Sequence, residues 1–328
     1  MEQRRLGRTG LEVSALGFGA GAVGGLMTRG EPAEQTRALA RALEAGITYV
    51  DTAPLYGNGA SEQALGRAWK ELGRATEGVV LGTKVRLAAA DRTDIAGAVA
   101  NSLDASLRRL ARDSVDLLQL HNPLVAVDAG DDLAIDLALE QVAPALDAAR
   151  RSGKTRFVGI TCIGETPALR RALDSGLFDT GQIVYNALNP SAGGPAPVGM
   201  PGQDYGDLLG LARARDVGTI AIRALAAGAL AGATVRHPNA MADVPPIGSG
   251  ADLGADTRRA LRLAPLVAEG HASSLAELGL RYALSQPALS TVLIGLASLD
   301  QLDQALAAAA RGPLPPAIVA RVGQLLAG

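Results

Sequence analysis

The chain is poor in the residues on which several classes of protein depend. Cys162 is its only cysteine, which excludes an intramolecular disulfide and most cysteine metal sites and fits a reducing compartment. The only histidines are at positions 121, 237 and 271. They are too few and too scattered to supply the cluster of histidine and acidic ligands that a barrel metallohydrolase needs. The sequence therefore predicts no metal site.

The chain also has little net charge, few aromatic residues and no long apolar run. The net charge of −2 at pH 7 gives no electrostatic reason for a nucleic acid or an anionic membrane as a partner. No run of about 18 apolar residues is present to span a bilayer, and no basic-then-apolar leader opens the chain. We therefore expect a cytoplasmic protein. Because only 3% of the residues are aromatic, a large aromatic-lined pocket is not expected.

Short apolar runs alternate along the chain with longer segments of helical period, which is typical of repeated βα units. Strands are predicted near residues 15–19, 47–51, 79–84, 115–120, 156–161, 181–185, 218–223 and 290–294. Helices are predicted near residues 33–45, 61–72, 94–110, 137–151, 165–174, 205–215, 273–285 and 298–310, with Ser61, Asp94, Ser273 and Ser298 as candidate N-caps. Eight such units in 328 residues predict an α/β protein, a single (β/α)8 TIM barrel domain over residues 1–328. Residues 3–13 are expected to form a β-hairpin ahead of the first barrel strand.

Three long segments show no clear period: residues 122–135, 190–203 and 232–255. Each follows a predicted strand, so all three are expected at the same end of the barrel. Long loops on one face usually shape a substrate site or a lid. The alternative is that they are surface insertions without a role.

Four polar side chains stand where predicted strands end. The second strand ends at Asp51, and Tyr56 follows it across a proline-containing turn. The third strand ends at Lys84, and His121 follows the fourth. The carboxyl ends of barrel strands are where the active sites of this fold lie. The four residues are therefore predicted to meet in one site.

The chemistry of these four residues suits proton transfer. A free tyrosine has a pKa of about 10 and is a poor proton carrier at neutral pH, so we expect the Lys84 ammonium to lower the pKa of Tyr56. Asp51 is expected to pair with Lys84 and to limit the cost of burying its charge. A neutral His121 can donate a hydrogen bond to a substrate carbonyl. Each residue alone has a structural explanation, but the joint arrangement predicts a general acid–base site.

The chain resembles the aldo-keto reductase superfamily over nearly its whole length. The resemblance rests on the segments 5–14 (RLGRTGLEVS), 16–19 (LGFG), 51–57 (DTAPLYG), 61–62 (SE), 83–84 (TK), 118–121 (LQLH), 153–160 (GKTRFVGI) and 182–186 (QIVYN). It implies a barrel that interconverts a carbonyl compound (an aldehyde, a ketone or a sugar) and its alcohol with NADP or NAD and without a metal. It also implies that Tyr56 is the general acid/base, that Lys84 and Asp51 tune it, and that His121 orients the substrate.

The same resemblance assigns residues that would hold the nucleotide. Thr161 and Cys162 stand where the family pattern has Ser-Asn, and with Gln182 they would bind the nicotinamide carboxamide. Cysteine is the weaker hydrogen-bonding group there, and a packed cysteine is the alternative reading of Cys162. Where many family members carry Tyr-Ser, this chain has Ile222 and Arg223. The Arg223 guanidinium is expected at the pyrophosphate, the nicotinamide ring or the substrate, unless it forms a structural ion pair.

The remaining nucleotide-binding residues are predicted in three segments. The first segment is Gly19, Ala20 and Gly21. Its glycines are expected to let the backbone come close to the cofactor or the substrate. The pattern G-x-G-x-x-G at 19–24 is not read as a Rossmann fingerprint, because a loop follows it and Asp51 is too distant. The others are Ala224, Leu225, Gly228 and Leu230 after the seventh strand, and Gly295, Ser298, Gln301 and Gln304 after the eighth. Residues 293–304 contain two acids and no basic residue, where NADP-preferring relatives often place Lys or Arg, so we expect NAD to be used at least as well as NADP.

Two other functions remain open from the sequence. The DTAPLYG segment and the opening of the chain also resemble bacterial aldose dehydrogenases of the superfamily, so an NAD-dependent sugar dehydrogenase is one alternative. Asn122, Asn189 and Arg223 would suit a small polar carbonyl or a sugar. The other alternative is a cofactor-binding regulatory or interaction module without significant turnover, for which Cys162 and Ile222 are the only support. The sequence does not predict the oligomeric state.

Overall fold

The computed structural model describes residues 1–232, 235–245, 247–248 and 250–327. Eight parallel strands pair in the order of the chain and close into a barrel, with the eighth strand beside the first. We number them β1 to β8: Leu16–Gly19, Tyr49–Asp51, Val80–Val85, Val115–Leu120, Thr155–Cys162, Thr180–Val184, Gly218–Ile222 and Thr291–Gly295. The prediction of a (β/α)8 barrel is confirmed.

Helices surround the barrel and bury one face against it. Seven of them match predicted helices: Pro32–Glu44, Ala60–Leu72, Ile95–Leu110, Thr166–Asp174, Leu208–Ala214, Leu275–Leu284 and Leu299–Ala310. The helix predicted at 137–151 is composite, with Ile135–Leu137, a π-helical segment Ala138–Val142 and then Ala143–Arg151. Buried residues recur at helical spacing, as with Leu103 and Leu107, and join the strands in one apolar core.

Among the described residues, four further α-helices were not predicted: Leu26–Arg29, Leu253–Leu261, Ala264–Ala268 and Pro316–Ala327. The first corrects the prediction that only a loop follows residues 19–24; it is a single turn that begins after Gly25, which has φ +85°. The second begins after Asp252, whose side chain accepts a backbone N–H of its first turn. No helix in the described part of the chain is both long enough and apolar enough to cross a membrane.

Two of the four predicted N-caps are confirmed. Asp94 and Ser298 each accept the backbone N–H three residues ahead, as an N-cap does. Ser61 does not cap its helix, because the helix begins one residue earlier and the Ser61 hydroxyl donates to the Ala20 backbone oxygen instead. The prediction of Ser273 is also wrong by one position, since Ser274 is the N-cap.

The amino-terminal hairpin closes the end of the barrel opposite the strand carboxyl ends. Strands Gln3–Arg5 and Glu12–Ser14 pair antiparallel, which confirms the predicted hairpin. Leu6, between them, is fully buried in a small apolar cluster with residues of the barrel interior. Gly7 has φ +49°, and a Cβ there would lie 2.2 Å from the Gly218 backbone nitrogen. The hairpin therefore packs directly on the start of β7.

Asn122 and Asn189, which would suit a polar substrate, instead form hydrogen bonds that fix the long loops. Asn122 is fully buried and donates two hydrogen bonds of 2.7 Å to backbone oxygens. Asn189 donates to the backbone oxygens of Gln203, at 2.9 Å, and of Gly248. It therefore joins the loop after β6 to the loop after β7. This corrects the expectation that these two amide groups face a substrate.

Candidate active site

The ammonium group of Lys84 joins the two residues predicted to act with it. Its Nζ forms an ion pair with Oδ1 of Asp51 and donates a hydrogen bond of 3.2 Å to Oη of Tyr56. A further bond of 2.9 Å goes to the backbone oxygen of Thr52. The Lys84 side chain is fully buried. All three donors of the ammonium group therefore have protein partners.

The turn after β2 brings Tyr56 back over the third strand. The Tyr56 N–H donates to the Ala53 backbone oxygen at 3.1 Å. Gly57 and Gly59 follow with φ of +61° and +88°, values that favour glycine, and the next helix starts at residue 60. Lys84 Nζ consequently lies 4.8 Å from the centroid of the Tyr56 ring.

A buried carboxylate fixes the helix that follows Tyr56. Glu62 is fully buried; its Oε1 accepts a bond of 2.7 Å from Oγ1 of Thr83, next to Lys84 in β3, and its Oε2 pairs with Arg109 at 2.6 Å. The position of Tyr56 is thus tied to the strand that carries Lys84. In the sequence, Glu62 is recognisable only as part of a motif, and nothing indicates Arg109 as its partner, because Arg109 lies 47 residues away in the chain.

His121 lies beside the phenol. The rings of His121 and Tyr56 are 5.8 Å apart and nearly perpendicular. Burial, reinforced by the positive charges of Lys84 and Arg86, lowers the pKa of His121 to about 3. The imidazole is therefore neutral at physiological pH. Its Nδ1 is buried and has no hydrogen-bond partner among the described residues.

The pKa of Tyr56 moves in the direction opposite to the prediction. Burial is the largest influence and raises the pKa above its usual value of 10.0; the Lys84 ammonium acts against this rise, and the Asp51 carboxylate adds to it. The predicted net lowering is therefore wrong, although the lysine acts as expected. For Lys84, burial lowers the pKa but Asp51 and Tyr56 together outweigh it, so the pKa is raised. The resting pair at neutral pH is a phenol beside an ammonium ion.

Of the three predicted carboxamide partners, two face the barrel interior. Thr161 and Gln182 are neighbours in adjacent strands. Oγ1 of Thr161 is buried and has no partner in the described part of the chain. Nε2 of Gln182 donates to Asp51 at 2.6 Å, a contact that the sequence did not indicate.

Cys162 points away from the barrel interior into the surrounding core. Its side chain is fully buried, and Sγ lies 3.3 Å from the position that a Cβ on Gly181 would take. Burial raises the pKa of the thiol, which disfavours the reactive thiolate. The structure agrees with a packed cysteine, and this corrects the prediction that the Cys162 side chain binds the nicotinamide carboxamide.

The glycines at the end of β1 and in the loop after it have different surroundings. A Cβ on Gly19 or Gly24 would lie 2.9 Å or 2.4 Å from backbone atoms at the end of β8, so both serve close packing within the protein. Ala20 is buried between them. Gly21 differs, because the nearest atoms to its Cβ position belong to the Tyr56 ring, at 3.8 Å. It is the residue of this segment that leaves space beside the phenol.

Arg223 stands at the end of β7 in a left-handed conformation with φ +59°, which is uncommon for a residue other than glycine. Burial lowers the pKa of Arg223, and the phenols of Tyr56 and Tyr205 act against this, so its guanidinium lies near both. Nη1 donates to the Pro245 backbone oxygen at 3.4 Å. Arg223 forms no ion pair within the described ranges, and the structural alternative finds no support there.

The loop after β7 continues in an unusual conformation. Ala226, Ala227 and Gly228 all have positive φ, at +47°, +60° and +104°. Strained backbone of this kind is often found at ligand sites. Arg236, which the sequence analysis missed, donates to the Ala227 backbone oxygen at 2.9 Å and places a second cation beside this loop. Nothing in the irregular segment distinguished this arginine from the many others in the chain.

The apolar residues predicted at this loop turn their side chains into the core. Ala224 and Leu230 are buried, and Leu225 and Leu230 pack against Gly279 of the helix Leu275–Leu284. Ile222 is half-buried and packs with the apolar cluster under the site. Ala224, Leu225 and Leu230 therefore offer a nucleotide mainly their backbone groups.

The residues predicted after β8 stand at the start of a helix. Oγ of Ser298 accepts the Gln301 N–H at 3.3 Å, and Oε1 of Gln301 accepts the Ala297 N–H at 2.8 Å. Both polar groups are thus engaged in capping the helix Leu299–Ala310. Gly295 and Gln304 are exposed.

The closed parallel barrel, with an acid–base cluster at the carboxyl ends of its strands, places the chain in the class of (β/α)8 barrel enzymes. The model of the aldo/keto reductase family matches residues 15–327. The chain belongs to this family, and the resemblance found in the sequence is confirmed. It is accordingly an oxidoreductase of the kind that acts on carbonyl compounds with a nicotinamide nucleotide.

Two of the relatives are sugar dehydrogenases by name. The chain is 29% identical over 308 residues to L-galactose dehydrogenase of Arabidopsis thaliana, covering 94% of this chain and 88% of the relative. It is 32% identical over 188 residues to D-threo-aldose 1-dehydrogenase of a Pseudomonas species, covering 50% of this chain and 54% of the relative. Among solved structures it resembles aldo-keto reductase AKR11C1 from Bacillus halodurans in its holo form, with a TM-score of 0.72 and 25% identity over 99% of this chain and 96% of that one.

Proposed function

We propose that the protein interconverts an aldehyde, ketone or sugar carbonyl and its alcohol with a nicotinamide nucleotide, and that Tyr56 is the general acid/base. The observation that carries the proposal is the position of Lys84, whose buried Nζ contacts both Asp51 and the Tyr56 hydroxyl. A buried cation next to a phenol is costly to build, and its use is to stabilise the phenolate when the proton leaves.

Each residue of the cluster has a defined part in the proton transfer. In carbonyl reduction Tyr56 gives its proton to the carbonyl oxygen, and the Lys84 ammonium, 3.2 Å away, stabilises the phenolate that remains. In alcohol oxidation the same phenolate accepts the proton. The neutral His121 donates a hydrogen bond to the substrate oxygen and holds it against Tyr56. The nicotinamide nucleotide, when bound, supplies or accepts the hydride.

Groups at the carboxyl ends of the strands suit such a nucleotide. The unpartnered Oγ1 of Thr161, with Gln182, would bind a carboxamide. Arg223 would bind a pyrophosphate, because a guanidinium is a bidentate phosphate ligand and this one has no ion pair in the described residues. A side chain at Gly21 would contact the Tyr56 ring, so its absence would leave the phenol accessible to a flat ring. The backbone of the loop through Gly228 would complete the phosphate contacts.

We also propose that NAD is used at least as well as NADP. Residues 293–304 provide no basic side chain for a 2′-phosphate. Of the two acids in this segment, Asp303 pairs with Arg41 at 2.9 Å, so its charge is largely compensated. Asp300 is exposed and has no ion pair within the described residues. The electrostatic argument against NADP therefore depends mainly on Asp300 and on the missing cation.

A second candidate is oxidation of sugars as an NAD-dependent aldose dehydrogenase. The names of two relatives, L-galactose dehydrogenase and D-threo-aldose 1-dehydrogenase, favour it. It uses the same four residues, with Tyr56 as the base. The two candidates differ in substrate and direction and not in the site.

The first experiment is a fluorescence or calorimetric titration of the protein with NADH and NADPH, followed by assays with simple aldehydes, ketones and aldoses. We expect micromolar binding of at least one nucleotide and turnover of one substrate class. Tyr56→Phe should bind the nucleotide as the wild type does and lose at least about 10²-fold in kcat, because the general acid/base is gone. Lys154→Met, at a lysine that directly precedes β5 and so lies at the end of the barrel opposite Tyr56, is the control and should leave kcat unchanged.

The outcomes separate the alternatives. Oxidation of aldoses with NAD and no reduction of simple aldehydes would favour the sugar dehydrogenase. A strong preference for NADPH would contradict the NAD proposal alone. Tight nucleotide binding without turnover of any carbonyl, alcohol or sugar would contradict the enzyme proposal and favour a cofactor-binding interaction module.

A further inference from the structure

Both oxygens of the Asp51 carboxylate are in use, and they have different kinds of partner. Oδ1 faces the Lys84 ammonium. Oδ2 accepts hydrogen bonds from Nε2 of Gln182 at 2.6 Å, from Nε2 of Gln119 at 3.2 Å and from Oη of Tyr49 at 3.5 Å. We call these three neutral donors the Asp51 cradle.

The cradle is built into the interior of the barrel. Its members come from β6, β4 and β2, and Gln182 is 1% exposed while Gln119 and Tyr49 are 0% exposed. Gly82, in β3, leaves the necessary room, because a Cβ there would lie 2.9 Å from Oη of Tyr49 and 3.4 Å from Oδ2 of Asp51. A side chain at position 82 would displace the donors. Four strands therefore contribute to this one contact.

A buried carboxylate needs more than one cation. Taking Asp51 out of water is costly, and Lys84 occupies only one of its oxygens. Neutral donors satisfy the hydrogen-bonding capacity of the other oxygen without placing a second charge beside Lys84. Tyr49 suits this task, since burial and the Asp51 charge raise its pKa well above 10.0 and keep its hydroxyl a donor.

We propose that Gln119 and Tyr49 are positioning residues for proton transfer at Tyr56: with Gln182 they hold the Asp51 carboxylate directed at the lysine. The inference rests on the proposed function, since it concerns the reaction assigned to Tyr56. Gln119 and Tyr49 contact Asp51 and act through it. Removing a donor frees one oxygen of the carboxylate to turn away from its present direction, and Lys84 is then held less firmly beside the phenol. The visible consequence is a slower chemical step at an unchanged substrate KM.

Other charged groups near the cradle do not replace it. The titratable groups that face Asp51 are Lys84, Tyr49 and Tyr56. Two more groups face Tyr56 from the ends of β4 and β7, namely His121 and Arg223. None of these supplies a neutral donor to Oδ2 other than Tyr49, so the remaining donors must be the two glutamine amides.

The test compares Gln119→Met and Tyr49→Phe with the control Thr291→Val. The first two substitutions keep the size of the side chain and remove a donor to Asp51. Thr291 is a fully buried residue in the barrel wall beside Tyr49, and its hydroxyl has no hydrogen-bond partner among the described residues. The measurement is the single-turnover rate of nucleotide oxidation at saturating carbonyl substrate, together with the substrate KM. Urea unfolding of each variant verifies that it is folded.

We expect Gln119→Met to lower the single-turnover rate by about tenfold, since a hydrogen bond that directs a charged group is lost. Tyr49→Phe should lower it less, because its bond to Asp51 is longer, and the substrate KM should stay unchanged in both. Thr291→Val should match the wild type in both quantities. If Gln119→Met does not fold, Tyr49→Phe alone decides. Wild-type rates in the folded Gln119→Met and Tyr49→Phe variants would overturn this inference alone, whereas a wild type without turnover, or one indifferent to Tyr56→Phe, would overturn the proposed function and this inference with it.

Discussion

Burial is the largest influence on the pKa of Tyr56 and on that of His121. It raises the pKa of the Tyr56 phenol and lowers that of His121, and nearby charges modify these shifts. For Lys84 the nearby charges outweigh burial instead. Under the proposed function, a neutral phenol suits carbonyl reduction, and alcohol oxidation would require the phenolate that Lys84 stabilises.

At the scale of one residue, His121 should not titrate in the physiological range. Its pKa in the folded protein is about 3, against 6.5 in the unfolded chain. Because the unfolded chain binds a proton that the folded protein does not, this residue makes stability fall as the pH decreases from 6.5 towards 3. NMR of the imidazole should show no change between about pH 5 and pH 8 in the folded protein. The same chain in urea is the control and should titrate near the unperturbed value; a folded-state midpoint near 6.5 would refute the prediction.

The position of Tyr56 depends on one element, the run from β2 through its turn to the helix Ala60–Leu72. The turn is fixed at one end by Asp51 and at the other by Glu62. Both carboxylates connect to β3, through Lys84 and Thr83, which are adjacent in sequence. A shift of the helix would therefore move Tyr56 relative to Lys84, and if Tyr56 is the proposed acid/base, the same contacts serve stability and activity.

Glu62→Ala tests this connection. We expect it to lower the free energy of unfolding by about 3 kcal/mol, the low end for breaking a buried ion pair, because the remaining Arg109 is partly exposed and can find water. The measurement is urea unfolding together with kcat, which should fall as well. Glu77→Ala is the control: its ion pair with Arg74 is exposed, with side chains 68% and 93% accessible, and should contribute at most about 1 kcal/mol. Equal losses in the two variants would contradict the prediction.

At the scale of the whole molecule, the two ends of the barrel have separate tasks. The amino-terminal hairpin covers one end, where Leu6 lies in an apolar cluster with Tyr49, Leu117 and Ile220. The other end carries the acid–base cluster and the long loops. The loops at the carboxyl ends of the strands can therefore change in evolution without disturbing the closed end that stabilises the fold, as is general for this architecture.

Leu6→Ala should weaken the closed end without altering the site. We expect a loss of about 2–5 kcal/mol in the free energy of unfolding, because a fully buried leucine leaves a cavity. Nucleotide affinity and kcat should remain those of the wild type under conditions where the variant is folded. Leu177→Ala, at an exposed leucine, is the control and should cost far less. A change in nucleotide affinity in the Leu6 variant would show that the two ends are coupled.

The sequence predicted the barrel and the meeting of Asp51, Tyr56 and Lys84 because strand ends are local signals and the topology brings them together. It missed what depends on contacts between distant segments. Gln119 and Arg109 are ordinary residues of a strand and a helix until the fold places them on Asp51 and Glu62. The sign of the Tyr56 shift was wrong for the same reason, since the degree of burial cannot be read from a motif.

Backbone conformation was the other source of error. Positive φ at Ala226 and Ala227 has no sign in the sequence, because alanine does not favour it. The helices Leu253–Leu261 and Pro316–Ala327 lie outside the regular βα alternation, and a count of eight units leaves no place for them. The roles of Asn122 and Asn189 were misread because a loop asparagine that binds backbone looks the same as one that binds a ligand.

The complete burial of Cys162 has a practical consequence for work on this enzyme. The chain's single thiol is enclosed in the core, so it should not compete for maleimide or iodoacetamide reagents while the protein is folded. A cysteine introduced at the tip of a long loop would then be the one accessible attachment point for a fluorophore or spin label. Movements of the loops around the barrel mouth can thereby be followed spectroscopically in the otherwise native chain.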